Sequence, residues 1–264
     1  MTTKNKIKVL VSDPLSDEGI ELLKKGTGIQ VDVKVKLKPA ELKKVIKDYD
    51  ALVVRSGTKV TADIIQAAKK LKVIGRAGAG LDNVDLPAAT KRGIIVMNTP
   101  GGNTISTAEH TFAMILGVSR NLLQSGSALK RGAWDRKKYT GRELNGKTLG
   151  VVGLGRIGRE VALRGEAFGM KVIAYDPLLS ADKIREYGVE PAEFKALLKR
   201  ADYITVHTPL TSETRHMLSD DEFKLMKKGV RVVNCARGGI IDEVALTKAI
   251  RSGKVGGAAL DVFE

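Results

Sequence analysis

Cysteine, aromatic side chains, long apolar runs and acidic charge are all in short supply in this 264-residue chain. One cysteine, Cys235, excludes an intramolecular disulfide and a cysteine-held metal cluster. The first apolar run, Ile7 to Val11, is too short for a secretory signal, and no stretch approaches a membrane span, so a cytoplasmic location is expected. Acids are outnumbered by bases, 30 to 45, giving a formal net charge of +15. That balance favours acidic partners, either nucleic acid or a small anionic substrate with an anionic cofactor. The lysines are scattered along helix faces and aromatics make up only 4% of residues. A specific nucleic-acid interface is therefore not expected.

What the chain does have is glycine at informative positions. Leu149, Val151 and Val152 form an apolar run fit for a buried parallel strand, and Gly153, Gly155 and Gly158 follow with the spacing G-x-G-x-x-G. From Arg156 onward Ile157, Val161, Ala162 and Phe168 recur at helical spacing. Gly153 permits the tight turn, Gly155 lets backbone approach a pyrophosphate, and Gly158 lets helix and strand pack closely. A second strand, Lys171 to Tyr175, ends in Asp176, where a carboxylate can accept hydrogen bonds from ribose hydroxyls and would repel a 2′-phosphate. Pro177 and Leu178 follow, with no arginine to receive such a phosphate. The cofactor implied is NAD rather than NADP.

Upstream, strands are expected at Ile7 to Val11, Ile29 to Val33, Ala51 to Val54, Lys72 to Gly75 and Ile94 to Val96, with helices between them. This alternation predicts a parallel sheet covered by helices. Ligands of open α/β sheets sit beyond the carboxyl ends of strands, which makes Arg55, Arg76 and the Gly78–Gly80 loop the candidate anion contacts. A breaker cluster from Thr99 to Asn103 marks a boundary. Ser106 and Glu109 have capping-box spacing at the head of a long helix that includes Phe112, Ile115, Leu116, Leu122 and Leu123. A basic excursion, Gly132 to Arg142, comes next. Beyond Asp176, strands are expected at Tyr203 to Val206, Val230 to Val233 and Gly256 to Val262. That makes five strands where a full dinucleotide fold has six.

Several ordered motifs run through the whole chain: Val54-Arg55-Ser56, Gly75-Arg76-Ala77-Gly78, Asp82-Asn83-Val84-Asp85, Met97-Asn98-Thr99-Pro100, the glycine turn, His207-Thr208-Pro209, Asn234 to Gly239 and Gly257 to Phe263. On these the chain resembles the D-isomer-specific 2-hydroxyacid dehydrogenases. The resemblance implies an α/β architecture: a flavodoxin-like substrate domain over 1–98 and a Rossmann-type, doubly wound NAD domain over 99–264. It further implies a dimerisation helix at the head of the NAD domain and a C-terminal part that is missing, the sheet being truncated before its last strand. Arg156, Ile157, Asp176, Thr208, Cys235 and Asp261 would contact NAD, beside Gly153, Gly155 and Gly158. Arg237 would be the catalytic arginine, and Arg55, Arg76 and Gly78 would face a small anionic 2-hydroxy acid, a phosphorylated one on the strength of the basic surface. Ala79 stands where close relatives often have threonine. A homodimer or higher homo-oligomer is implied, with no membrane and no specific nucleic-acid partner.

Oxidising a 2-hydroxy acid needs a cation for the carboxylate and developing ketone, a base for the hydroxyl proton, and a hydride acceptor. Arg237 meets the first need. In the family the base is a histidine held by a glutamate, and both positions would fall after Glu264. His110 is expected to pack within the long helix, His216 to sit in a polar connection, and His207 beside the cofactor. The expectation is therefore a truncated, inactive form. Glyoxylate or hydroxypyruvate reduction, and a non-catalytic NAD-sensing scaffold, remain the alternatives.

Overall fold

The computed structural model describes residues 6–264, which divide into two compact units, the first ending at Asn103 and the second spanning Thr104–Glu264. In the first, β1 (Ile7–Val11), α1 (Asp17–Lys24), β2 (Ile29–Val33), α2 (Pro39–Val45), β3 (Ala51–Val54), α3 (Ala62–Ala67), β4 (Val73–Arg76), α4 (Leu86–Lys91) and β5 (Ile95–Asn98) alternate along the chain. All pairings are parallel, in the order β2-β1-β3-β4-β5. That is the flavodoxin-like order. Leu10, Leu52 and Ile74, from three adjacent strands, lose all solvent exposure in its core. Truncating one of them to alanine would cost about 2–5 kcal/mol. Helix starts are fixed by side chains: Ser16 Oγ accepts from Gly19 N–H ahead of α1, and Asp85 Oδ1 accepts from Ala88 N–H at 2.9 Å ahead of α4.

The second unit begins with two helices, α5 (Thr104–Arg120) and α6 (Leu122–Lys130). It continues through β6 (Thr148–Val152), α7 (Arg156–Ala167), β7 (Lys171–Tyr175), α8 (Ala181–Glu186), β8 (Glu190–Pro191), α9 (Phe194–Arg200), β9 (Tyr203–Val206), α10 (Asp220–Leu225), β10 (Val230–Asn234), α11 (Glu243–Arg251) and β11 (Val255–Leu260). The sheet is parallel and runs β8-β7-β6-β9-β10-β11, the doubly wound 3-2-1-4-5-6 order of a dinucleotide-binding fold. Its inner strands are buried on both faces, as their Val-, Leu- and Ile-rich content requires. Separate apolar clusters cover the two faces. Gly165 keeps α7 close to the sheet, because a Cβ there would lie 2.8 Å from Leu149 Cδ2.

Three expectations are corrected. The sheet has six strands, not five; the one missed is β8, a two-residue strand containing Pro191, too short for any alternation. The helix after the breaker cluster starts at Thr104, so Ser106 lies inside its first turn, and Glu109 reaches toward Arg164 (3.9 Å) instead of closing a capping box. Nor does that helix continue through Leu123. Asn121 adopts φ 53°, a left-handed conformation that asparagine tolerates, and the chain restarts as α6 with Leu122 and Leu123 exposed.

Candidate functional site

The glycine turn sits where the ladder of β6 ends. Gly153 N–H donates to Tyr175 O at 2.8 Å and His207 N–H to Val152 O at 2.7 Å, the last rungs before the chain turns. Gly153 has φ 91°, and a Cβ there would lie 2.9 Å from the His207 carbonyl carbon. A Cβ at Gly158 would overlap the Gly153 carbonyl, so this glycine sets the distance between α7 and β6. Gly155 differs from both. It is the N-cap of α7, no side chain caps the helix, and a Cβ would meet nothing within 4 Å. The first N–H groups of a twelve-residue helix therefore face open space that a bare backbone leaves accessible. Arg156 is exposed in the first turn, with Ile157 half-buried beside it.

Asp176 stands at the end of β7 with one oxygen on each neighbouring loop. Oδ2 accepts from Leu154 N–H at 2.8 Å and Oδ1 from Leu178 N–H at 2.9 Å. A carboxylate has about four acceptor sites. Roughly two remain for a vicinal diol. The exposed flank of Asp176 is Pro177 and Leu178, with no cation in sequence beside it. A dinucleotide's pyrophosphate and ribose fit these groups: an uncapped helix start, a cradle that any Cβ would fill, and a half-satisfied acid.

Arg237 follows β10 on a loop held by Asn234, which is only 2% exposed. Asn234 Oδ1 accepts from Ala236 N–H at 2.9 Å, and its Nδ2 donates to Arg237 O at 2.8 Å. One buried amide thus fixes both flanks of the peptide that aims the guanidinium. Gly238 lies against the Phe263 carbonyl, and Glu264, paired with Arg215 and with His216 Nε2 (2.8 Å), donates its own N–H to Glu243 at 2.8 Å. The His216 hydrogen bond holds the Glu264 carboxyl below its usual range. Cys235 is buried, and burial raises its thiol pKa against an opposing hydrogen bond with Thr111. Thr208 is half-buried, its Oγ1 3.9 Å from Met217 Sδ. His207 turns its ring toward the buried Thr205, Nε2 to Oγ1 3.0 Å, and burial lowers its pKa to about 4. It is a neutral imidazole at neutral pH and a weak base. His110, expected to pack, is exposed on α5, and its Nε2 lies 3.3 Å from Asp261 Oδ1.

In the first unit the strand ends are wrapped by side chains. Asp13, 6% exposed, accepts from Arg55 N–H (2.6 Å), Thr58 N–H (3.0 Å) and Thr58 Oγ1 (2.9 Å). Asn83 Nδ2 donates to Arg55 O and Thr58 O from the other side, at 2.6 and 2.7 Å. This leaves Arg55 exposed on a fixed loop. Arg76 is 9% exposed, and a Cβ on Gly78 would strike its guanidinium, so Gly78 is what admits that side chain. Asn98 Nδ2 secures the neighbouring loop through Ala79 O at 2.7 Å. Asp13, Asn83, Asn98 and Asn234 were not read as site residues from sequence. Their only signal was that each is a short polar residue at a strand end or inside a motif.

Two parallel sheets, one with the nucleotide order and a bare glycine turn, define a dinucleotide-binding α/β protein. Residues 112–264 match the family model "D-isomer specific 2-hydroxyacid dehydrogenase, NAD binding domain", and the chain belongs to that family. It is 53% identical to a D-3-phosphoglycerate dehydrogenase of Archaeoglobus fulgidus over 258 residues, and 54% identical to one of Sus scrofa over 263 residues. These alignments cover 98% and 100% of this chain but 49% of each relative. The chain spans about half the length of the curated relatives it matches. Among solved structures, the D-lactate dehydrogenase of Aquifex aeolicus, crystallised with NAD and lactic acid, aligns with TM-score 0.86 and 35% identity, over 97% of this chain and 77% of that one. A glyoxylate reductase of Paecilomyes thermophila aligns with TM-score 0.89 and 32% identity, over 99% and 83%.

Proposed function

We propose that this chain serves the NAD-dependent oxidation of a D-2-hydroxy acid to the 2-keto acid, with 3-phosphoglycerate as the substrate, at the entry to serine synthesis. The observation that carries the reaction class is the amide-clamped Arg237 at the carboxyl end of β10, in the same sheet as the bare start of α7. The substrate rests on the 53–54% identity to proteins named D-3-phosphoglycerate dehydrogenase, against 32–35% to structures named for lactate or glyoxylate.

In this reading the backbone N–H groups at the start of α7 receive the pyrophosphate, with Gly153, Gly155 and Gly158 making room and Arg156 and Ile157 flanking it. Asp176 takes the adenosine ribose hydroxyls on its unused acceptor sites and excludes a 2′-phosphate by charge. Thr208, Cys235 and Asp261 line the rest of the cofactor's path, His110 holding Asp261. When bound, NAD supplies the hydride acceptor. Arg237 pairs with the substrate carboxylate and stabilises charge growing on the oxygen as the alcohol becomes a ketone. Arg55, Arg76 and the Gly78 loop are the first unit's contacts for an anionic substrate. His207 is too weak a base to serve as the proton acceptor, and no proton-transfer role is assigned to His216, in the connection after β9, or to His110, on α5. A cytoplasmic location and self-association through the exposed Leu122, Leu123, Leu129 and Trp134 belong to the same reading; no described helix is long and apolar enough to cross a membrane.

The test is NADH titration of this chain, followed by 3-phosphohydroxypyruvate, glyoxylate and hydroxypyruvate in turn. Saturable NADH binding with no enzyme-like turnover of any of them is expected. Turnover would overturn the exclusion of the histidines, and a preference for glyoxylate would move the substrate to the second reading.

A further inference from the structure

Opposite the carboxyl ends that carry the glycine turn and Arg237, the second sheet has a pocket at its amino end. It is a cavity of about 60 Å³ lined by Arg142, Lys147, Asp202, Lys227, Lys228 and Arg231 around Tyr203 and Gly229. Five of those six side chains are cationic. Lys227 pairs with the single acid, Asp202, at 2.9 Å, and that acid also accepts from Thr148 N–H. Arg142, Lys147 and Lys228 have no carboxylate within ion-pair distance among the described residues. The cluster therefore carries uncompensated positive charge.

Arg231 forms the floor. It is 8% exposed, with Nε donating to Val118 O at 3.3 Å and Nη1 only 3.5 Å from Gly229 O, and its guanidinium lies 5.7 Å from the Tyr203 ring centre. Nη2 has no hydrogen-bond partner among the described residues. That edge of the guanidinium is reached by solvent and is free to take an acceptor. Burial, opposed by Tyr203 and reinforced by Arg142, lowers its pKa.

We infer that this pocket binds a free tetrahedral oxyanion, inorganic phosphate or sulfate, bridging Arg231 to Arg142 and Lys228. The size selects the ligand: sites for drug-sized or nucleotide ligands run to about 300–1,000 Å³, whereas this cavity has room for a handful of water-sized groups. It is separate from the cofactor site. β6, five residues long, puts roughly 16 Å between its two ends.

The experiment is calorimetric titration of this chain with inorganic phosphate at constant ionic strength, with sodium chloride as the control. Saturable 1:1 binding, displaced by sulfate, is expected. The double variant Arg142→Gln/Lys228→Gln, changed only at exposed side chains, should weaken it about tenfold or more, the worth of a charge-assisted hydrogen bond. Gly155→Leu, which fills the start of α7, should leave phosphate affinity unchanged. Heat indistinguishable from chloride, that is, an adventitious ion only, would overturn the inference. So would unchanged affinity in the double variant, a loss in Gly155→Leu, or glycerol phosphate binding as tightly as inorganic phosphate.

Discussion

At the carboxyl end of β6 the chain leaves its backbone bare, while at the carboxyl ends of β1 and β3 it covers the backbone with side chains. Both units are parallel sheets with helices, and both put polar residues where such sheets bind ligands. In the second unit the N–H groups at the start of α7 have no side-chain cap and Gly155 faces open space, so the proposed reading leaves recognition there to main chain and helix dipole. In the first, Asp13 and Asn83 take up the N–H and C=O groups of Arg55 and Thr58, which holds the Arg55 cation on a rigid support. One architecture yields a backbone site when the loop is glycine, and a side-chain site when the loop is tied down.

The contrast breaks most severely at Asp13. Asp13→Ala would strip the acceptor from two backbone N–H groups and a hydroxyl, destabilising the first unit by about 3 kcal/mol or more. Hydrogen exchange should rise across β1, β3 and β4 while NADH affinity stays put; a loss of NADH binding would mean that the units are not independent in this respect. Next in size is the response to acid of the second unit. The folded pKa of His207, about 4, lies below the unfolded value near 6.5. Its neutral ring therefore contributes stability that is complete above pH 6.5 and is lost as the pH falls toward 4, by up to about 3 kcal/mol. Urea melts across that range should lose this slope in His207→Gln, and a wild-type curve flat over the same window would refute the burial argument.

Gly158→Ala would drive a methyl into the Gly153 carbonyl and push α7 off β6. It should lower stability by about 1–3 kcal/mol and abolish NADH binding, read by Tm and by fluorescence. Asp176→Ala has the smallest expected effect, roughly tenfold in NADH affinity or about 1.5 kcal/mol, together with a narrower margin over NADPH. An unchanged NADH-to-NADPH ratio would remove that carboxylate from cofactor selection.

The parts of this molecule legible in its sequence are those encoded locally. The run Leu149 to Val152, the three glycines and Asp176 lie within one strand-turn-helix-strand unit, so spacing alone predicts them. What escaped is encoded over distance or by exception. Asp13 acts on residues 42 and 45 positions away, which no local pattern records. The β8 strand is two residues with a proline, and the break at Asn121 needs neither glycine nor proline because asparagine tolerates the left-handed region. His110 lies on a helix rich in apolar residues, yet it faces outward to Asp261, since the buried stripe of α5 is Ala108, Thr111, Phe112, Ile115 and Ser119.

The claim that the second unit reads its cofactor with bare backbone is tested most directly by substituting Gly155, whose Cβ meets nothing in the protein. NADH and NADPH would be titrated by fluorescence into wild type and Gly155→Leu, with Tm recorded for each. The account predicts saturable NADH binding in wild type, much weaker NADPH binding, and loss of both in the variant at nearly unchanged Tm. NADH binding that survives the leucine would contradict it.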